Sequence, residues 1–171
     1  MNAGAYGVEI HDRVEWIEAV QPGEGVRWLE SGDVAHGYRW SALGRGQWVV
    51  TRARLKLEPG NLGEMNQRLR SINEKRRNKI PSGFSAGSVF KNPEGDAAGR
   101  LLEVAGCKGL AIGRARVSDE HANVILTARG ARSADIFSLA REMRRRVLEA
   151  SGVELEPEVR FLDSRGRGVK L

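Results

Sequence analysis

Cysteine, histidine and aromatic residues are all scarce in this sequence of 171 residues. The single cysteine, Cys107, excludes an internal disulfide and a cysteine-based zinc site, and it fits a reducing compartment. The three histidines, His11, His36 and His121, are widely separated, and no pair has the spacing of metal ligands. No apolar run is long enough to span a membrane. A disulfide scaffold and a membrane span are therefore excluded, and a zinc site is disfavoured.

Positive charge and glycine are abundant instead. Lysine and arginine total 28 against 22 acidic residues, which gives a formal net charge of +6. This balance favours anionic partners such as phosphates, nucleotides or nucleic acid. Two basic clusters, at residues 75–77 and 144–146, lie on predicted helices with apolar stripes, and no aromatic residues are interleaved with them. We interpret both clusters as solvated helix faces and keep a nucleic-acid-binding module as a remote alternative.

Strands and helices are mixed without strict alternation, which predicts the α+β class. Residues 14–20 and 48–58 are strand-like, and the second segment alternates apolar and charged residues. Asn61 and Glu64 have the spacing of a capping box, and an apolar stripe of helical period follows them.

The second half of the chain has its own set of elements. We expect a short helix at 96–105, a long helix at 133–151 that ends at Gly152, and a buried stripe on the long helix that extends to Ala150. Residues 110–117, 123–127 and 158–162 each read as one strand. The basic, glycine-containing residues 164–171 are expected to be a mobile tail.

Residues 85–93 combine small residues with several side chains that can bind a ligand or take part in catalysis. Small residues, which allow close backbone approach, are followed by the Ser88 hydroxyl, the Lys91 ammonium and the Asn92 amide. From the residues alone this segment is either an anion-binding loop or a flexible glycine-serine linker.

This segment closely resembles the signature of the UDP-N-acetylenolpyruvoylglucosamine reductase family, also called UDP-N-acetylmuramate dehydrogenase. Further stretches of the sequence resemble other segments of that family in the family's order, and they are residues 1–7, 37–41, 105–109, 117–123 and 155–160. The resemblance covers nearly the whole chain. Its only two tyrosines, Tyr6 and Tyr38, both fall in these segments, so the chain resembles the subtype that lacks an inserted tyrosine loop.

The resemblance implies a flavoenzyme of peptidoglycan precursor synthesis in the cytoplasm. In that family NADPH reduces FAD, and the flavin passes hydride to the enolpyruvyl group of UDP-N-acetylglucosamine enolpyruvate. By resemblance, Ser88 is the acid that protonates the neighbouring carbon. Arg39 stabilises the enolate-like oxygens, and Glu158, in its protonated form, donates a hydrogen bond to the same carboxylate.

The remaining site residues are also carried over from the family. Lys79, Lys91 and Asn92 match positions that hold the substrate. Tyr6 matches a tyrosine near both flavin and substrate, so Tyr6 and Arg39 are the expected cofactor contacts. Positive charge suits the substrate diphosphate and carboxylate and the NADPH phosphates. We expect no nucleic-acid or membrane partner, and the sequence does not indicate an oligomeric state.

The family begins with a flavin-binding portion that has no counterpart here, so we expect an N-terminally truncated chain. Residues 1–79 would be the remainder of the flavin-binding domain, 80–163 the smaller substrate-binding domain and 164–171 the basic tail. We expect the substrate domain to fold largely as in the family and residues 1–79 to be poorly stabilised alone. The alternative function is a non-catalytic UDP-sugar-binding remnant.

Overall fold

The computed structural model describes residues 1–45, 48–77 and 81–171. They form two compact units, Met1–Leu62 (unit 1) and Gly63–Leu171 (unit 2). The chain contains both helices and strands, which confirms the predicted α+β class. The domain boundary predicted between residues 79 and 80 falls outside the described residues and stays a prediction.

Unit 1 is built mainly from short antiparallel strands. Its elements are β1 (Gly4–Ala5), β2 (Val8–Glu9), a 3-10 helix (Ile10–Arg13), β3 (Val14–Gln21), β4 (Gly25–Glu30), a 3-10 helix (Ser31–Asp33), β5 (His36–Gly37), β6 (Trp40–Ser41), α1 (Ala42–Arg45) and β7 (Val49–Leu55). The largest sheet has the order β4-β3-β7 with antiparallel pairing throughout. Its central strand supplies Ile17 and Ala19 to a small core that Val34 completes.

Strand β7 corrects one sequence expectation. The predicted strand at 48–58 is present but ends at Leu55, and all seven of its residues are exposed. It is an edge strand whose pairing with β3 shifts register between Glu18 and Ala19. The apolar side chains of β7 therefore lie on exposed faces.

The helix predicted after Asn61 exists as α2 (Leu62–Arg77). However, none of its described residues is buried, and its stripe residues Leu62, Met65 and Leu69 are exposed. The helical period was therefore predicted correctly, and the stripe that it forms is largely exposed.

Unit 2 contains the larger core. Its elements after α2 are α3 (Ala98–Val104), β8 (Ala111–Ile112), β9 (Ala115–Val117), β10 (Ile125–Thr127), α4 (Ser133–Ser151), β11 (Phe161–Leu162) and β12 (Gly168–Val169). Helix α4 packs on α3, β8 and β9. The largest fully buried side chains include Phe90, Leu102, Leu139, Met143 and Leu155. Burial on this scale is the main stabilising term in a unit of this size.

Helix α4 has the predicted bounds. It ends at Gly152, which adopts φ = 71° and so takes the left-handed conformation that suits glycine after a helix. Its buried residues are Leu139, Ala140, Met143 and Val147. Ala150, which we expected in the stripe, is exposed because it lies in the last turn, beyond the packed part of the helix.

Residues 110–117 form a hairpin, β8 to β9, rather than one strand. Gly113 turns the chain with φ = 56°, and the Asp135 carboxylate accepts hydrogen bonds from the Arg114 amide (3.3 Å) and the Arg132 amide (3.1 Å). The strand predicted at 158–162 is likewise shorter, since only β11 is regular.

The C-terminal residues are ordered, which corrects the expectation of a mobile tail. Strand β12 pairs with β11, and the Asp163 carboxylate accepts hydrogen bonds from the Arg165 and Arg167 amides, both at 2.9 Å. The Arg144 guanidinium donates to the Leu171 carbonyl at 2.7 Å. These contacts hold the segment against unit 2. Among the described residues, no helix combines the length and the apolar character needed to cross a membrane.

Candidate active site

Ser88 lies on a short extended segment with partners on both sides. On one side, Ser88 forms a bridge with Val124, and the Val89 amide donates to the Asn123 carbonyl at 2.9 Å. On the other side, the Glu158 amide donates to the Val89 carbonyl at 2.8 Å. Val89 is buried, whereas Ser88 is exposed. The Ser88 side chain is therefore exposed to solvent, while the backbone that carries it is held by hydrogen bonds on both sides.

The same hydrogen bonds bring the segment of Ser88 next to that of Glu158. Phe90 forms a bridge with Pro157, and the Lys91 amide donates to the Glu156 carbonyl at 2.9 Å. Glu158 is half-buried. A hydroxyl and a carboxyl predicted to act on one substrate are thus carried by neighbouring stretches of backbone in unit 2.

Lys91 forms an ion pair that the sequence did not indicate. Its ammonium lies 2.6 Å from the Glu156 carboxylate. The lysine side chain is 18% exposed, whereas that of Glu156 is 70% exposed. The charge predicted to hold an anion is therefore partly compensated by an acidic side chain at the surface.

Asn92 has a structural contact. Its side-chain oxygen accepts a hydrogen bond from the Ala98 amide at 3.1 Å, at the start of α3. This satisfies one of the backbone donors that a helix leaves open at its N-terminus. Lys79, the other predicted substrate contact in this half, lies outside the described residues.

The two predicted cofactor contacts occupy strained turns in unit 1. Tyr6 lies between β1 and β2 with φ = 54°, and Arg39 lies between β5 and β6 with φ = 57°. Positive φ is uncommon for residues other than glycine, and such strain concentrates at functional sites. The Arg39 guanidinium donates to the Gly4 carbonyl at 3.0 Å and lies over the Tyr38 ring, 4.8 Å from its centre.

Buried Asn2 joins these two turns. Its side-chain amide donates to the Gly37 carbonyl at 3.2 Å, and its side-chain oxygen accepts from the His11 amide at 3.1 Å. Together with the bond from Arg39 to Gly4, this places the hairpin of Tyr6 beside that of Arg39 within unit 1.

Two histidines stack against each other in the same unit. The ring centres of His11 and His36 are 3.3 Å apart, with 24° between the ring planes. Burial and the neighbouring His36 lower the pKa of His11 from its usual 6.5. The sequence did not predict this stacked pair, because the two histidines are far apart in the chain. Among the described residues, no group of three or more acidic, histidine or cysteine side chains is arranged to hold a metal ion.

A cavity of about 420 Å³ in unit 2 adjoins the Ser88 segment through Gly87 and Val89. Most of its wall is apolar, and the residues that complete the lining include Phe84, Ile125, Ile136, Val159, Phe161 and Leu162. This cavity can accommodate an apolar or aromatic group beside the Ser88 segment.

The arginine run of α4 is paired with acidic side chains. Glu142 bonds both Arg145 and Arg146, and these bonds lower its pKa to about 2. Arg144 pairs with Glu154, and Arg145 also pairs with Glu149. These ion pairs support the interpretation of this cluster as a solvated helix face.

Cys107 is fully buried, and burial raises the pKa of its thiol. Cys107 is therefore a small apolar core residue, since the thiolate is the reactive form of cysteine.

Comparison with known proteins gives a consistent result. Residues 79–162 match the family model described as "UDP-N-acetylenolpyruvoylglucosamine reductase, C-terminal domain". The reductase of that name from Caldanaerobacter subterraneus subsp. tengcongensis is 39% identical over 163 residues, which cover 95% of this chain and 54% of the relative. The one from Acidiphilium cryptum is 43% identical over 169 residues, covering 98% of this chain and 54% of the relative.

A solved structure extends the match to three dimensions. The crystal structure of UDP-N-acetylenolpyruvylglucosamine reductase from Thermus caldophilus superposes with a TM-score of 0.80 at 38% identity. The superposition covers 92% of this chain and 56% of that one. The chain spans about half the length of the curated relatives it matches.

The α+β fold, the Ser88 segment and these relatives assign the chain to an oxidoreductase family. It belongs to the UDP-N-acetylenolpyruvoylglucosamine reductase family, as the sequence motifs predicted.

The described part of unit 1 fits the implied FAD only in part. Tyr6 and Arg39 are held in defined turns, but binding a pyrophosphate requires several converging backbone amides, usually at a glycine-rich turn or helix N-terminus. Within residues 1–45 and 48–61, the longest helical segments have four residues. Neither of these segments is long enough to offer a pyrophosphate site at a helix N-terminus.

Proposed function

We propose that this chain carries the substrate-binding and proton-donating half of the reductase that converts UDP-N-acetylglucosamine enolpyruvate to UDP-N-acetylmuramate. The observation that carries the proposal is the Ser88 segment, which presents an exposed hydroxyl from a backbone bonded on both sides, beside the backbone of Glu158. The reaction would serve peptidoglycan precursor synthesis in the cytoplasm, and hence cell-wall biogenesis, cell shape and cell division.

Ser88 is the proposed proton donor. Reduction of an enolpyruvyl group leaves negative charge on the carbon next to the carboxylate. A serine hydroxyl is a weak acid, but a carbanionic or enolate carbon is a strong base, so the transfer is feasible if the geometry is held. Side chains supply no hydride, so that part of the reaction depends on FAD and NADPH, which the resemblance implies.

Arg39, Glu158, Lys91, Asn92 and Lys79 are the proposed substrate contacts. The Arg39 guanidinium stabilises the enolate oxygens, and protonated Glu158 donates a hydrogen bond to them. Lys91 and Lys79 act on the diphosphate as positive charges, and Asn92 hydrogen-bonds to the substrate. Tyr6 is the proposed contact shared by substrate and flavin. The joint action of Arg39 and Ser88 on one substrate stays a prediction.

A second candidate is a UDP-sugar-binding protein without flavin chemistry. The short helical segments in the described part of unit 1, which offer no pyrophosphate site at a helix N-terminus, favour it. It requires the same substrate contacts in unit 2 but no reduction.

Two assays on the purified chain separate these functions. The first supplies FAD, removes the unbound flavin and follows NADPH oxidation with the enolpyruvyl sugar present. In a protein that includes the flavin-binding portion, Ser88→Ala should leave flavin reduction intact and abolish reduction of the sugar, while Ser85→Ala, three residues earlier in the same loop, should retain both. An equal loss of both half-reactions in Ser88→Ala would contradict the acid role.

The second assay is calorimetry with the enolpyruvyl sugar and no flavin. Binding of the sugar tests the substrate contacts that both functions share, and retention of FAD by the same chain would contradict the second candidate. A chain that neither retains flavin nor binds the sugar contradicts both.

A further inference from the structure

The Asn123 side chain forms hydrogen bonds with both polar backbone groups of Phe90, in the segment that carries Ser88. Its side-chain oxygen accepts a hydrogen bond from the Phe90 amide at 2.9 Å, and its side-chain NH₂ donates to the Phe90 carbonyl at 2.8 Å. Its own carbonyl accepts from the Val89 amide at 2.9 Å. Asn123 is only 3% exposed, so these bonds are shielded from water.

The two side-chain bonds require an amide of this length. Phe90 presents one donor and one acceptor, and an asparagine side chain offers the complementary pair. A carboxylate can accept but not donate, and an alkyl group can do neither. Either change would leave a buried polar group of Phe90 without its partner, which is costly in free energy.

These bonds act on the two residues that follow Ser88. The backbone carbonyl of Asn123 binds the Val89 amide, which belongs to the peptide group directly after Ser88, and the Asn123 side chain binds Phe90. Glu158 and Glu156 bind the opposite edge. Of the contacts described along this edge, the one that uses a side chain against both polar groups of one residue comes from Asn123. The direction in which the segment presents the Ser88 hydroxyl therefore depends on Asn123.

We propose that Asn123 is a positioning residue that sets the orientation of Ser88 for proton transfer. The proposal rests on the proposed function, because it gives Ser88 the role of acid. Asn123 ends the stretch 117–123, which resembles a segment of the family. Proton transfer depends steeply on geometry, so a small rotation of this segment should weaken it.

A solely structural role is the competing explanation. Any buried asparagine whose side chain makes two hydrogen bonds stabilises its unit, and replacing that asparagine lowers the melting temperature. The two roles differ in what happens to Ser88 while the chain is still folded.

Asn123→Asp separates the roles because its effect should reverse with pH. The introduced carboxyl is buried, which raises its pKa by desolvation. When protonated, it can donate to the Phe90 carbonyl and accept from the Phe90 amide, as asparagine does. When ionised, it cannot donate. Asn123→Ala lacks both groups at every pH.

The matched control is Ser118→Ala. Ser118 is equally buried at 3% exposure, and its hydroxyl accepts hydrogen bonds from the Glu120 and His121 amides. It is a buried polar side chain that bonds to backbone in the same unit without contacting residues 88–91 through its hydroxyl. Removing the Ser118 hydroxyl should lower the stability of the fold without changing the orientation of Ser88.

The measurement is the backbone amide NMR signal of Ser88 in the full chain, recorded below the melting temperature of each variant and compared with wild type at the same pH. Asn123→Asp should displace the signal at neutral pH and return it towards the wild-type position in acid. Asn123→Ala should displace the Ser88 signal at neutral pH and in acid, and Ser118→Ala should displace it under neither condition.

Three results would overturn the positioning role. One is a Ser88 signal that stays at the wild-type position in both Asn123 variants, however far the melting temperature falls. Another is a displacement in Asn123→Asp that acid does not reverse. The third is loss of the folded state in both variants, which would make Asn123 a structural residue. If wild type does not bind UDP-N-acetylglucosamine enolpyruvate, the proposed function fails. The Ser88 signal still decides the role of Asn123 in that case.

Discussion

Removing the negative charge of Glu156 should make the chain bind a UDP-sugar more tightly. Glu156 lies 2.6 Å from the Lys91 ammonium and is the more exposed partner of the pair. In the Glu156→Gln variant, Lys91 keeps its position in the chain but loses the carboxylate that competes with an incoming diphosphate. The mutation therefore favours the complex with the anionic ligand.

The two effects of this mutation differ in size. Ion pairs with one well-exposed partner stabilise a fold by less than about 1 kcal/mol, so the free energy of unfolding should barely change. Removing a like charge beside a bound diphosphate in a solvated site is worth about 1 kcal/mol. This corresponds to roughly fivefold tighter binding. Because exposed charges are screened, the gain should shrink as sodium chloride rises from about 50 mM to about 500 mM.

Isothermal titration calorimetry with UDP-N-acetylglucosamine measures this gain, and Glu103→Gln is the control. Glu103 forms the same type of pair, 2.7 Å from the Lys108 ammonium, and its removal changes net charge by the same amount. Equal gains in both variants would show an effect of net charge alone. Unchanged or weaker binding by Glu156→Gln would refute the assignment of Lys91 to the diphosphate.

Two further predictions concern stability. Because the pKa of His11 is lowered by burial and by His36, the folded state binds fewer protons than the unfolded state. The melting temperature should therefore fall as the pH drops through 6.5, and thermal scans between about pH 7.5 and about pH 5.5 should show a shallower fall in His11→Gln. A methyl group on Gly113 would lie 2.5 Å from the Asp135 carboxyl carbon, whereas one on Gly166 meets nothing within 4 Å, and both glycines have positive φ. Denaturant unfolding should show a loss of about 1 kcal/mol for Gly166→Ala and clearly more for Gly113→Ala, and equal losses would contradict the predicted clash.

Local sequence signals predicted the elements whose causes are local. Helix α4 has the predicted bounds because its apolar period, of which Leu139 and Met143 are examples, coincides with real burial, and Gly152 supplies the left-handed residue that ends it. Helix α2 has an equally clear period, yet its stripe is exposed. A period indicates which face of a helix is apolar, but burial depends on what packs against that face.

The order of the C-terminal segment comes from its turn residues and does not follow from its overall composition. Asp163 and Gly166 are typical of a tight turn, and Asp163 accepts bonds from two following amides. That turn pairs β11 with β12 and orders a stretch that its glycine and arginine content had suggested to be mobile.

The candidate site could be predicted only through the family resemblance. No periodicity relates Ser88 to Glu158, and their neighbouring backbones depend on hydrogen bonds between distant parts of the chain. The same holds for the Asn123 contact with Phe90 and for the His11–His36 stack. Tertiary folding creates such pairs, and residue types at short spacing do not reveal them.

The most direct test of the proposed substrate half is an NMR titration of the full chain with UDP-N-acetylglucosamine enolpyruvate. The account predicts saturable displacement of the amide signals of Ser88, Lys91 and Glu158. Displacements confined to the arginine run at 144–146, or no saturable displacement at all, would contradict it.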